Sequence, residues 1–299
     1  MNETNLTAKY LIGRCVRRLR DERGMTLEQL ALEAGITYQY LSGVENGKEN
    51  FTVSVLEALT NALALPLESL VSLAYIDMDL RNSPTVNPEF FRDVPLPVGL
   101  TISQLEAAMN QAQAMFYRIN RNLRSEVGKP LQAFIQGNNF SGLVSNIFSD
   151  ALNDHSPYKH NHHQKYPDLI NPSENAGLEV KATINITKCG ESHNGHGGWH
   201  TVVYYETTDD FNIRFIYVMI AHLNGHQSQY PDWKYVGSKV NEATGSRRTE
   251  TYNTNIFGKT KLRDGSVYLD PDKVNYRRWR EGRREGDSTP LWSIFASRT

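Results

Sequence analysis

Asp168, Glu179 and Lys181 are the residues whose types and spacing could do chemistry. They lie in KYPDLINPSENAGLEVKATINI, residues 165–186, where a Pro-Asp step precedes a Glu-Val-Lys step by eleven residues. The flanks are strand-like and the turn NPSENAG separates them, which predicts a hairpin. Alternation along a strand puts Glu179 and Lys181 on one face, and the hairpin brings Asp168 beside them. Two carboxylates so placed suit a hard cation such as Mg²⁺, which prefers oxygen ligands. The carbonyl of Val180 could complete the metal set of Asp168, Glu179 and Val180. A cation there would polarise a phosphate and lower the pKa of a bound water. Lys181 could orient that water or stabilise charge in the transition state. This equipment suits phosphodiester hydrolysis; the plainer alternative makes Glu179 and Lys181 solvent-facing residues of an amphipathic strand.

The elements that must position these residues follow from the surrounding pattern. Leu105, Met109, Ala112, Phe116 and Ile119 recur at three-to-four spacing and predict a helix over 102–125, capped by Ser103 or Thr101. A shorter helix is expected at 140–152, with Asp150 as a weak extra acid. Past residue 165 the apolar runs become short and β-rich, and 199–206 with 211–222 reads as a further hairpin. Helices followed by strands give an α/β or α+β pattern.

In order, spacing and strand context, Asp168, Glu179 and Lys181 resemble the PD-(D/E)XK nuclease superfamily, which includes most type II restriction endonucleases. The resemblance implies a restriction-endonuclease-like mixed-sheet domain of the α/β class. It also implies Mg²⁺-dependent, site-specific cleavage of double-stranded DNA by a homodimer, with a cognate DNA methyltransferase in the same system. Two-fold symmetry would match a palindromic site and let two active sites cut both strands.

A second constellation precedes the first. In IGRCVRRLRDERGMTLEQLALEAGITYQYLSGVEN, residues 12–46, Ile12, Val16 and Leu19 share a face and Gly24 ends the first helix. Thr26 and Gln29 have capping-box spacing, Gly35 makes a tight turn, and Thr37 caps the next helix, whose Leu41 and Val44 face inward. Helix, short glycine turn, helix is a DNA-reading motif whose second helix presents its N-terminal residues to base edges. Those residues are Thr37, Tyr38, Gln39 and Ser42, and Gln39 could pair bidentately with adenine. Lys48, Arg14 and Arg17 are candidates for phosphate contacts. Through LEQLA, AGIT, YLSGVENGKE and VLEALTNALAL the segment resembles the lambda-repressor-like, or XRE-type, helix-turn-helix family, an all-α five-helix domain. Glu28 departs from the glutamine frequent in that family, which weakens the expected phosphate clamp. Such a domain could read the cleavage site, bind a separate operator, or favour a methylated base.

Seven of the nine histidines fall between residues 155 and 200. Cys189, His193, His196 and His200 have spacings that could bind structural Zn²⁺, although paired knuckles are absent. The glycine-rich GESHNGHGG reads better as a DNA-facing loop in which His193, Asn194, His196 and Trp199 offer contacts. His162 or His163 could instead serve a histidine-metal nuclease.

Composition is consistent with this. The chain has 299 residues, 39% hydrophobic and 22% charged, with a net charge of −1, so charge alone does not argue for DNA. Its basic tail holds Arg277, Arg278, Arg280, Arg283 and Arg284, read either as a DNA patch or as a solvated segment. Two distant cysteines, no apolar stretch long enough to span a membrane and no secretory leader point to the cytoplasm. Prolines at 84, 88, 95 and 97 suggest a break, giving residues 1–75 as the helix-turn-helix domain, 76–128 as linker and connecting helix, and 129–299 as the nuclease domain. The non-enzyme alternative is a DNA-binding transcription regulator with an inactive nuclease-like domain.

Overall fold

The computed structural model describes residues 7–161, 166–185, 191–192, 195–208, 212–237 and 251–296. His162, His163, Cys189, His193 and Asn194 therefore lie outside the described residues. The chain divides into two units, residues 1–83 and 84–299.

The first unit is five helices: α1 (Ala8–Glu22), α2 (Leu27–Glu33), α3 (Tyr38–Glu45), α4 (Val53–Ala62) and α5 (Leu67–Asn82). Thr26 accepts from the Gln29 amide at 3.2 Å while the Gln29 side chain accepts from the Thr26 amide at 2.7 Å, closing the expected capping box of α2. Thr37 caps α3 by accepting from the Tyr40 amide at 3.2 Å. Gly35, at φ +67°, makes the turn between them. Leu30, Leu41, Val44, Leu59, Leu63 and Leu70 are fully buried and close the core. Gly13 lets α1 approach α3, since a Cβ there would fall 2.0 Å from the Val44 carbonyl oxygen. The fifth helix, which starts just after Pro66, reaches Asn82 because the next proline comes only at residue 84.

The second unit begins where a linker was expected. Val86, Val94 and Leu100 are buried in its core, and the Gln113 amide donates to the Pro84 carbonyl at 2.6 Å. The segment 84–128 is thus part of this unit, its prolines interrupting helix without preventing burial. Helix α6 (Ile102–Val127) is capped by Thr101, not Ser103, with Gln104 completing a capping box. Helix α7 (Gly137–His155) packs beside it. The strands are β1 (Lys159–His160), β2 (Leu169–Asn171), β3 (Ala176–Thr183), β4 (Glu191–Ser192), β5 (Gly198–Thr207), β6 (Ile213–Leu223), β7 (Trp233–Gly237), β8 (Thr251–Thr254) and β9 (Ser266–Leu269), with α8 (Ile256–Asp264) before the last.

Six of these strands form a mixed sheet in the order β1-β2-β3-β5-β6-β9, in which only β3 and β5 are parallel. Both faces of its centre are covered, so β6 reads as a nearly continuous apolar run, IRFIYVMIAHL. One face packs Val180, Val203 and Phe215 against Phe116 and Phe148 of α6 and α7. The other packs Val202, Tyr217 and Met219 against Leu262 of α8 and Phe295. Strands β4, β8 and β7 form a separate three-stranded sheet.

The basic tail splits in two. Arg283 makes a bidentate pair with Asp264 at 2.8 and 2.9 Å, and Arg284 donates to Asp232 at 2.7 Å. Arg277, Arg278 and Arg280 are exposed. Among the described residues no single helix is long and apolar enough to cross a membrane.

Candidate active site and DNA interface

Strand β2 pairs antiparallel with β3 through Leu169 and Leu178, so Asp168 and Glu179 are the next opposed residues. The Asp168 amide donates to Glu179 Oε2 at 3.2 Å, and the Val180 amide donates to Asp168 Oδ2 at 2.9 Å. Lys181 Nζ lies 2.5 Å from Glu179 Oε1 and 3.6 Å from Asp168 Oδ2. The three side chains therefore meet, as strand alternation and the hairpin require. The Val180 side chain is buried in the helix-side core, but its amide faces Asp168. The amide and carbonyl of one strand residue point the same way, so the Val180 carbonyl faces this open edge too. Asp168 is 41% exposed along its side chain and Glu179 only 9%; the site opens to solvent at the aspartate with the glutamate beneath.

Burial pushes the Glu179 carboxyl up, with Lys181 opposing and Asp168 adding to the rise. Burial alone would lower Lys181, but Glu179 and Asp168 outweigh it and hold the ammonium above the ordinary lysine range. Lys181 is accordingly a fixed cation between two carboxylates.

Three aromatic residues flank this group. The Tyr166 hydroxyl donates to the Gly197 carbonyl at 2.7 Å, and its ring stacks on His196 with centroids 4.3 Å apart. Burial raises the Tyr166 phenol, helped by Glu179 and Asp168, so it stays neutral. His200 lies in register with Glu179 across the parallel pair and is buried. Its Nδ1 is 3.0 Å from the Gly198 carbonyl and so carries the proton, which leaves the buried Nε2 as an acceptor with no hydrogen-bond partner among the described residues. Sequence reading missed Tyr166 and weighed His200 only as a zinc ligand. The Tyr-Pro-Asp step was the available signal for the first.

Burial pushes His200 down to about 4. Its folded pKa is below the unfolded value of 6.5, so stability is present above pH 6.5 and lost as pH falls toward 4. The loss should approach ~3 kcal/mol. Urea unfolding at pH 7 and pH 4.5 checks this: His200→Asn, which keeps a donor for Gly198, should show a shallower decline. Equal declines would count against a buried neutral imidazole.

Several expectations need correction. Strand β5 begins at Gly198, one residue before the strand expected at 199–206. Trp199 pairs in register with Leu178, packs on the helix-side core and edges against His222 at 5.7 Å, on the face opposite Glu179. Its ring is half-buried. His196 is half-buried beside the carboxylate site. Among the described residues no three His, Cys, Asp or Glu side chains gather as a metal-holding group. Asp150 pairs with His160 at 2.6 Å and lines a cavity of about 290 Å³ with Gln111 and Asp154, so it is not part of the carboxylate group.

In the first unit, Thr37, Tyr38 and Gln39 are exposed at the start of α3 and Ser42 is half-exposed one turn on. Arg14 and Arg17 are exposed on α1, as is Lys48 after α3. Glu28 sits in the first turn of α2. Beneath them Arg20 grips Glu45, at the end of α3, through two bonds of 2.7 and 2.9 Å. Replacing Gln39 by alanine should lower discrimination between cognate and mismatched DNA by ~1–3 kcal/mol if it reads a base. Competition binding against single-base variants measures this; an equal loss on every sequence would make Gln39 a phosphate contact.

Residues 16–70 match the family model described as helix-turn-helix. The uncharacterized HTH-type transcriptional regulator y4dJ of Sinorhizobium fredii is 40% identical over 64 residues, which cover 21% of this chain and 83% of that protein. The chain belongs to the helix-turn-helix family. The immunity repressor protein of Bacillus phage phi105 is 33% identical over 60 residues, 20% of this chain and 42% of the repressor. Among solved structures, the clp gene regulator ClgR from C. glutamicum aligns at 25% identity over 24% of this chain and 94% of its own, with a TM-score of 0.24. The restriction-modification controller protein C.AhdI from Aeromonas hydrophila aligns at 31% identity over 20% of this chain and 92% of its own, with a TM-score of 0.20. The helix-turn-helix domain is thus a DNA-binding module of the regulator type. All four relatives cover about a quarter of the chain or less.

Proposed function

We propose that this helix-turn-helix protein is a site-specific endonuclease that cuts double-stranded DNA with Mg²⁺, and that its second domain is of the restriction-endonuclease-like class. The observation that carries the reading is the meeting of Asp168, Glu179 and Lys181 at one open strand edge, with the Val180 carbonyl turned toward the same edge. The donor set fits the cation, since two carboxylates and a carbonyl offer oxygen only. Asp168, Glu179 and Val180 would hold it. When bound, it supplies Lewis-acid polarisation of the phosphate and a more acidic water.

The chain's own residues do the rest. Lys181, held charged by the carboxylates, supplies the positive group for charge building on the phosphate oxygens. Asp168, on the exposed side, meets the incoming backbone first, while Glu179 stays beneath and anchors the lysine. A homodimer cutting both strands, with a cognate methyltransferase to protect the host, belongs to the same proposal.

The second reading is a DNA-binding transcription regulator with an inactive nuclease-like domain. The named relatives favour it, being a regulator and a repressor, and they fit it better than they fit an endonuclease. Methylated and unmethylated plasmid, incubated with the protein and Mg²⁺ or EDTA, separates the two. Discrete Mg²⁺-dependent fragments support the endonuclease, and the preferred plasmid shows the effect of methylation. Tight binding with no cutting of either plasmid supports the regulator.

A further inference from the structure

We propose that Lys181 gates the carboxylate site: its ammonium holds the glutamate oxygen that a divalent cation needs, and it must give up that oxygen before the cation can be held. This rests on the reading that the site takes a divalent cation, and adds to it an exchange of one positive group for another.

The hydrogen bonds show which oxygens remain for a ligand. The Val180 amide donates to Asp168 Oδ2 at 2.9 Å, and the Asp168 amide donates to Glu179 Oε2 at 3.2 Å. Both amides are set by the pairing of β2 with β3, so one oxygen of each carboxylate is tied to the backbone. Asp168 Oδ1, on a side chain 41% exposed, is bonded by no described residue. Glu179 Oε1 is held by Lys181 Nζ at 2.5 Å. A hard cation that joins the two carboxylates through their remaining oxygens therefore meets the ammonium at Oε1. Two positive groups on one oxygen repel strongly at such range.

The surroundings make this an exchange rather than a loss. The Glu179 side chain is 9% exposed, and a buried carboxylate stripped of its partner is costly, so the lysine leaves only as another cation arrives. Lys181 can leave, because its side chain is 35% exposed and its four-carbon stem is flexible. The exchange reverses the sign of the site. Two carboxylates and one ammonium sum to a single negative charge. With a divalent cation added they sum to a single positive one, and the released ammonium is free to meet a phosphate. An anionic phosphate is thus repelled before loading and attracted after it.

The test uses the full chain without DNA and Mn²⁺ as the probe, an ion that carboxylate and carbonyl oxygens suit. The electron paramagnetic resonance signal of free Mn²⁺ counts the bound ion, and Asp168→Ala identifies ions held elsewhere. Lys181→Met should bind Mn²⁺ at least about tenfold more tightly than the unmodified chain, because one positive charge beside the ion is gone. A merely structural lysine would predict weaker binding. Displacement itself is read on the unmodified chain and needs no folded variant. Acetic anhydride should acetylate Lys181 faster once Mg²⁺ is added, with exposed Lys234 unchanged as the reference, scored by mass spectrometry. Equal or weaker Mn²⁺ binding by Lys181→Met, or acetylation of Lys181 that Mg²⁺ leaves unchanged in a chain that binds Mn²⁺, would overturn the gate and leave the endonuclease reading standing. Binding of no Mn²⁺ at this site by either chain would overturn both.

Discussion

On the proposed endonuclease reading, Asp168→Ala and Lys181→Ala should each lower the rate of Mg²⁺-dependent DNA cleavage by at least about a hundredfold to a thousandfold, with affinity for the same duplex in EDTA nearly unchanged. The aspartate is the exposed oxygen donor at the strand edge, and the lysine is its charged neighbour at 3.6 Å. Neither belongs to the helix-turn-helix domain, so binding through that domain survives. Quantitative gel analysis of plasmid nicking and linearisation, beside fluorescence anisotropy on a labelled duplex, reads both quantities. Near-normal cleavage by both variants would remove the site assignment. A parallel loss of binding would move these residues to a DNA-holding role.

The second large effect concerns stability. Arg20→Ala should destabilise the helix-turn-helix domain by ~3–5 kcal/mol, because it strands Glu45, whose side chain is only 5% exposed. Replacing both residues by methionine should recover most of this, since an apolar pair of similar volume leaves no buried charge. Urea unfolding followed by circular dichroism measures each variant. A loss below about 1 kcal/mol for Arg20→Ala would make the pair a surface-like contact. The expected effect reaches function, because Glu45 closes the end of α3 and Arg20 also donates to the Met25 carbonyl before α2.

What could be read from sequence was mostly local. Thr26 with Gln29, Thr37 and Thr101 announce helix starts because a capping hydroxyl sits within three residues of its partner amide. The hairpin around NPSENAG is equally local, and it sufficed to bring Asp168 to Glu179 and Lys181. Long-range pairing was not legible. The side of Trp199 is set by its register with Leu178 across a parallel pair, and WHTVVYYE, buried on both faces, carries no alternation to reveal it. Helix α8 begins at a weak signal, an Asn255 cap followed by IFGKTKLRD, whose apolar residues lack clear helical spacing. The pairing of two tail arginines was not legible, because Asp232 and Asp264, which fix them, are dozens of residues or about twenty residues away in sequence.

The clamps by Arg283 and Arg284 also bear on how this protein is made. Asp264 and Asp232 are buried acids whose partners follow them in the chain, Arg283 for one and Arg284, with Lys261, for the other. A nascent chain that has already made Asp168, Glu179 and Lys181 still carries these carboxylates incompletely neutralised. The second domain should therefore stay loosely folded until Arg283 and Arg284 are in place, so that whatever its carboxylate site can do is withheld until these two clamps close.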